Sequence, residues 1–462
     1  MDTWKLPLDV LLHIISLARI KTKSRMVKTC RILHREGGKT LLRSCGVLLC
    51  TRNQIVSFLF FMRADPPGRF PSLRSFHLRA AEGLPMESEI LLAGFFTELA
   101  ERHSGLRTLR IHGYNLTGEC SNDELARAVS RLRSITDLKL DFVSHSAWSI
   151  MRTAMLSRLV KADISVQDPV PFPESRTLVD IDLTHLLEGS CDTLQSFSFV
   201  GSHLNRIVTS RGPVYHRLQT LYHKAGEWLP EISHYITAFP ALKSLSVAQE
   251  DSFLYAEGYA SLRDVNQHYQ HAHGSWPSLD YFWGTTQHLH ALSLTCHVAH
   301  ILLDDIDEEV HAEMLGAVLD DVRPVRVELA SYALSNFRDL DWTGALCAQR
   351  EPPMQFLKIT MRLMGNEDDT LGEAIDAICA ALASTSLRAF QLDIQCVGRP
   401  LMSYGRIEVM DLQTTAQSFQ DACPSLEAVL IESDYFPDEK HRKARIGSAS
   451  RCRRLLGPNG RV

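Results

Sequence analysis

Three histidines, His268, His271 and His273, crowd into one short stretch, and Cys296-His297-x-x-His300 places three more donors close together. Imidazole and thiolate at such intervals are the ligands of zinc sites. A structural zinc site takes four of them in recognisable pairs, and neither cluster has a second pair nearby. The spacing therefore reads as histidines on a polar surface, with no metal. The acidic runs Asp304-Asp305-x-Asp307-Glu308-Glu309 and Glu367-Asp368-Asp369 suggest calcium or acid chemistry, but both lack the alternating ligands and turn glycine of a calcium loop. The first run also precedes an apolar-periodic segment, Val310 to Leu319, where negative charge suits the positive end of a helix. No G-x-S-x-G elbow, Walker loop or dinucleotide-binding glycine pattern occurs. These residue types point away from an enzyme and call for no cofactor.

Composition narrows the partners. Charged residues make up 22% of the 462 positions and apolar residues 45%, the balance of a globular protein. A net charge of -5 is too small to argue for nucleic acid or a membrane surface as a partner. No run reaches the ~20 uninterrupted apolar residues of a membrane span. Asp9 and His13 interrupt the apolar run that a secretory signal would need. The 11 cysteines are scattered without a C-x-x-C pair, as expected of reduced thiols in the cytoplasm or nucleus.

What must position any binding residue is a repeat. An apolar residue at x, x+3 and x+5 recurs as Leu73/Phe76/Leu78, Leu106/Leu109/Ile111, Ile135/Leu138/Leu140, Leu159/Ala162/Ile164 and Leu194/Phe197/Phe199. It continues as Leu242/Leu245/Val247, Leu289/Leu292/Leu294, Met354/Leu357/Ile359, Leu387/Phe390/Leu392 and Leu426/Val429/Ile431, with weaker copies from Leu218, Leu279 and Val322. Positions x+3 and x+5 share one face of an extended strand. Between them lie helical stretches at Ile90 to Leu99, after the Ser121-x-x-Glu124 capping-box spacing, and at Leu371 to Leu382. Strand and helix in alternation predict an α/β chain, with inner parallel strands and outer helices. An ordinary α/β domain alternates in the same way, but no glycine-rich phosphate loop follows any strand. Gln249 to Trp276 reads as the longest insertion, Asp168-Pro169-x-Pro171-x-Pro173 as an extended break, and residues 437–462 as a basic, solvated tail.

Ahead of the repeat, Pro7 and Asp9 suit a first helical turn, and Val10, Leu11, Ile14, Ile15, Leu17 and Ala18 form an apolar stripe. Met26, Val27, Cys30 and Leu33 keep helical spacing until Gly37-Gly38 interrupts it. So small a helical group is usually stabilised by a partner.

Leu6-Pro7-x-Asp9-Val10-Leu11-x-x-Ile14-Ile15, followed by Thr29-Cys30-Arg31-x-Leu33-His34, resembles an F-box. The basic Ile20-Lys21-Thr22-Lys23-Ser24-Arg25 stands where that family has an Asp-Leu-Leu-x-Leu run. The recurring x, x+3, x+5 triplet is similar to the Leu-x-x-Leu-x-Leu core of leucine-rich repeats, and the combined order resembles fungal F-box proteins with degenerate repeats. The resemblance implies an F-box over residues 1–45, an irregular leucine-rich-repeat solenoid over 46–436, and a tail over 437–462. It also implies a substrate-recognition subunit of a cullin–RING (SCF-type) ubiquitin ligase, with a Skp-type adaptor and cullin scaffold as partners. Leu6, Pro7, Val10, Leu11, Ile14 and Ile15 would then contact the adaptor. Strand parity places His77, Arg79, Arg110, His112, Lys139, Tyr222, Tyr281 and Trp283 on the face offered to a protein target. A repeat scaffold without any ligase is the alternative these residues allow.

Overall fold

The computed structural model describes residues 6–79, 86–102, 104–112, 123–143, 150–151, 154–166, 185, 187–201, 212–225, 231–249, 256–304, 312–333, 345–346, 350–364, 371–397, 410–433, 442–447 and 455. The chain is α/β, and its strands are mostly parallel. It divides into two compact units: Met1–Trp228 with Thr237–Ala241 and Gln249–Asp251, and Leu229–Ile236 with Leu242–Ala248 and Ser252–Val462.

The first unit opens with helices α1 (Leu8–Leu17), α2 (Ile20–Val27) and α3 (Gly38–Ser44), with a π-helical turn at Leu33–Gly37. Pro7 is the N-cap of α1; its extended backbone turns the chain into the helix, and its carbonyl accepts the Leu11 N–H at 3.1 Å. The basic stretch after α1 does form a helix. Lys23 lies buried along it and donates to Ser44 Oγ at 3.1 Å, which ties α2 to α3. Ile15, Val27, Leu33 and Leu42 make the small core. Gly37-Gly38, expected as a break, is instead helical and buried. A Cβ on Gly37 would come within 3.1 Å of Ile15 and Val27, and one on Gly38 within 3.1 Å of Phe61. The glycines are there for close approach between helices.

Strands then follow in order: β1 (Val47–Leu49), β2 (Ser75–Arg79), β3 (Thr108–His112), β4 (Asp137–Val143), β5 (Lys161–Val166), β6 (Ser196–Gly201) and β7 (Thr220–Ala225), each parallel to the one before. Between β1 and β2 come α4 (Arg52–Arg63), opened by a Thr51–Gln54 capping box, and α5 (Pro66–Arg69). Helix α6 (Met86–Glu101) precedes β3 and α7 (Asp123–Ser130) precedes β4; Ser121 of the expected capping box lies outside the described residues. The x, x+3, x+5 triplets are buried as their spacing requires, Leu159, Ala162 and Ile164 completely. Helices cover that face: Phe76 of β2 meets Phe58 of α4 at 5.7 Å between ring centroids and Phe96 of α6 at 5.5 Å. Rings at these tilted and edge-on angles add to the burial energy.

The second unit contains α8 (Ile232–Ala238) from its Ile232 end, β8 (Ser244–Gln249), α9 (Ala256–His273), β9 (Ser278–Gly284), α10 (Thr286–Leu292) and β10 (His297–Asp304). It continues with α11 (Ala312–Val322), β11 (Arg326–Ala333), β12 (Phe356–Met364), α12 (Leu371–Ala383), β13 (Ala389–Val397), α13 (Leu412–Ala422), β14 (Ala428–Ser433) and β15 (Arg442–Ile446). Strands β8 to β14 are parallel and β15 runs antiparallel to β14.

Four expectations change here. The stretch read as the longest insertion carries α9, an 18-residue helix. Its inward side chains include amides: Asn266 Oδ1 accepts from Ile232 N–H and its Nδ2 donates to the Ala291 carbonyl, both at 2.9 Å. Gln270 Nε2 donates to the Ser293 carbonyl at 2.8 Å while its Oε1 accepts from Thr295 N–H at 3.1 Å. A helix held through amides shows little apolar period. Leu289 and Leu292 belong to α10, not to a strand; the triplet in that region is Val298/Ile301/Leu303 on β10. Near Val322 the triplet is displaced by a helix end, so that Val327 and Leu329 of β11 hold the core positions. Finally, Arg442–Ile446, expected within a solvated tail, pairs with the last parallel strand from Val429 to Ser433.

Candidate functional site

Two kinds of surface stand out. The first is α1. Leu6, Val10, Ile14 and Leu17 recur at helical spacing and are exposed by 56%, 39%, 40% and 76%, and Ile20 at the start of α2 is exposed too. Side chains four and three apart line one face of a helix, so these residues make an outward apolar stripe. Pro7 is exposed beside it and Leu11 half-buried at its edge. Ile15 does not belong with them. It is fully buried, because its position turns it towards Gly37 and the core of the helical group. Leu17 and Ile20 extend the stripe beyond the residues chosen by resemblance; their signal was the helical period itself.

The second surface is the strand face turned away from the helices. In the first unit the pairing aligns His77, Arg110, Lys139, Asp163, Ser198 and Tyr222 in one row across β2 to β7. Arg79 and His112 form the next row. These side chains are half-exposed or exposed, while their neighbours in the strands are buried. The row carries two neighbouring cations, Arg110 and Lys139, followed by the carboxylate of Asp163. Lys139 Nζ lies 2.5 Å from Asp163 Oδ2, Ser198 Oγ donates to Asp163 Oδ1 at 2.9 Å, and His112 Nδ1 pairs with Asp141. Burial works against the charge on Lys139, but its hydrogen bond to Asp163 and the nearby carboxylates outweigh it and raise its pKa. His77 is pushed down by burial and by the Arg110 charge, which keeps it neutral at ordinary pH. Partial burial raises Tyr222. Of this row, Asp163 was not singled out in the sequence, although strand parity marks it.

In the second unit the same face holds Tyr281, His300, Arg326 and Phe356 in register across β9 to β12. Tyr281 meets His300 edge-on at 4.9 Å, and the Arg326 guanidinium lies 3.9 Å from the centre of the Phe356 ring. Glu328 joins the two side chains, with Oε1 2.9 Å from His300 Nε2 and 2.8 Å from Arg326 Nη2. Burial alone would raise Glu328, yet these two partners hold it down at about 2. Tyr281 is pushed up to about 12 by burial and by the Glu328 charge. Trp283 pairs with Leu302 in the next row, half-exposed. Tyr281 and Trp283 therefore share a face, as their parity predicts. His300, Arg326 and Glu328 were missed because the β10 and β11 triplets were misplaced.

The histidine clusters resolve into surface and strand positions. His268 and His271 are exposed on α9, His273 stacks on Tyr269 at 4.6 Å, and His300 is committed to Glu328. Among the described residues, no three His, Cys, Asp or Glu side chains gather so as to hold a metal ion. No described helix is long and apolar enough to cross a membrane. No protein-family model matches the chain, and no curated protein is similar enough to count as a match.

Proposed function

We propose that the chain is the substrate-recognition subunit of a cullin–RING (SCF-type) ubiquitin ligase. In this reading residues 1–45 are an F-box-like group that binds a Skp-type adaptor, and the parallel strands belong to an irregular leucine-rich-repeat solenoid. Leu6, Pro7, Val10, Leu11 and Ile14 make the adaptor contact. The strand faces carrying His77, Arg110, Lys139, Tyr222, Tyr281 and Trp283 receive the protein target.

The observation that supports this most is the apolar stripe of α1, which leaves Val10, Ile14 and Leu17 in water while only Ile15 of that helix is fully buried. Covering a fully exposed side chain of this kind is worth about 1.5–3 kcal/mol, and a part of that at each of these residues supports α1 as a docking surface. The paired charges of both signs on the strand faces suit a folded protein surface of mixed charge better than a polyanion. The receptor performs no bond chemistry; it raises the effective concentration of target lysines near a charged conjugating enzyme.

Affinity capture of the full chain with a purified Skp-type adaptor and the cullin scaffold tests the reading. Joint capture of both, lost on Ile14→Asp, supports it. Capture of a target without the adaptor by the wild-type chain supports instead a repeat scaffold outside any ligase.

A further inference from the structure

The open strand face changes character at its C-terminal end. Phe356, Ala389 and Ala428 are paired across β12, β13 and β14, and parity places them, with Leu430, opposite the core triplets. Parity alone would leave them exposed on the target side. They are instead buried to 4%, 1%, 0% and 8%, and Leu455 from the C-terminal segment packs against the cluster they form. No other region of the open face described above is both apolar and covered.

Strand β15 runs back along β14 and ends with Ile446 opposite Val429, next to Ala428 in the strand. Gly447 follows with φ of +97°, a backbone conformation that glycine adopts freely and other residues resist. Strand β15 therefore ends beside the patch that Leu455 packs against. Arg451, Arg453 and Arg454 precede this leucine in the sequence.

We infer that the apolar patch of Phe356, Ala389, Ala428 and Leu430 is a docking site for a short peptide, and that the chain's own Leu455 occupies it. The C-terminal segment is an internal ligand. A target segment that offers an apolar side chain meets the same surface only by displacing Leu455. Tethering holds the internal ligand at an effective concentration of about 1 mM, so occupancy in cis suppresses binding in trans. The site belongs to the face that the proposed function assigns to target contact, but peptide capture needs no adaptor, so the two ideas fail separately.

The test uses the full chain and a fluorescent peptide spanning residues 448–462, with Cys452→Ser to prevent oxidation. Fluorescence anisotropy compares wild-type chain with a full chain carrying Leu455→Asp. The variant, whose internal ligand is weakened, binds the peptide at least about tenfold more tightly than wild type, and a peptide carrying Leu455→Asp binds neither. Equal binding by both chains, or none by the variant, overturns the inference. Circular dichroism checks that Leu455→Asp is folded; if it is not, Leu455→Ala, which places no charge on the patch, must give the same contrast.

Discussion

The guanidinium of Arg69 lies 3.9 Å from the centre of the Phe61 ring, and its Nη1 donates to the carbonyl of that same residue. Nη2 donates to the His34 carbonyl at 3.2 Å, so one side chain on α5 ties the turn before α3 to α4. Arg69 is 2% exposed and stands at the join between the N-terminal helices and the first strands of their unit. Its planar fork satisfies two backbone carbonyls at once while stacking on an aromatic face, which an ammonium cannot do.

Arg69→Met keeps the stem and loses the fork, so it should lower stability by about 3 kcal/mol in denaturant unfolding. Arg69→Lys should restore less than half of that loss. Full rescue by lysine would mean that charge alone, without the planar geometry, makes the join.

Asn266 bridges Ile232 N–H and the Ala291 carbonyl. Asn266→Ala strands both backbone groups inside the protein and should cost about 2–4 kcal/mol. Asn266→Asp still accepts from Ile232 but faces the Ala291 carbonyl with an oxygen, so it should fall near the alanine variant above pH 5. Urea midpoints of the three chains compare them directly.

His288 is buried at the first turn of α10, where its backbone N–H donates to Thr285 Oγ1 at 3.2 Å. Burial lowers its pKa to about 4. The unfolded chain therefore binds the proton first as pH falls, so the stability this neutral histidine secures is complete above about pH 6.5 and is lost progressively towards pH 4. The loss is about 3 kcal/mol. His288→Gln keeps a side-chain acceptor for the capping box but does not titrate. Its stability should be flatter than that of wild type between pH 4 and 6.5, and parallel curves would rule this out.

Glu328 gives a second, lower window. Its folded pKa of about 2 lies below the usual carboxylate value, so its contribution is present above about pH 4.5 and disappears as the carboxylate is protonated towards pH 2. Glu328→Gln should destabilise at pH 7, where His300 and Arg326 lose a charged partner, and converge on wild type at pH 2. Acid unfolding followed by tryptophan fluorescence reads both limits.

Much of the fold was legible because core leucines and phenylalanines repeat: Leu73, Phe76 and Leu78 announce β2 without help from anything distant. The reading failed where polar side chains do the work of apolar ones. Asn266 and Gln270 bind α9 through its amides, so the helix looked like an insertion. It failed again at Leu289 and Leu292, whose three-residue step suits a strand entry and a helix face equally well. For the candidate surfaces, parity identified the row of His77, Arg110 and Lys139, because one correct register fixes every second side chain. Ile15 and Leu17 exchanged roles: a helix with apolar residues on several sides does not state which side is covered.

The proposed adaptor contact lies on the exposed stripe of α1. Isothermal titration of the full chain with a Skp-type adaptor should give a Kd of about 1 μM or tighter. Ile14→Asp should weaken it at least about 100-fold while moving the thermal midpoint far less than a change at Ile15, because Ile14 is 40% exposed and Ile15 fully buried. Ile15→Asp should instead unfold the helical group, since it buries a charge. A wild-type chain that does not bind, or an Ile14→Asp chain that binds equally well, would contradict the account.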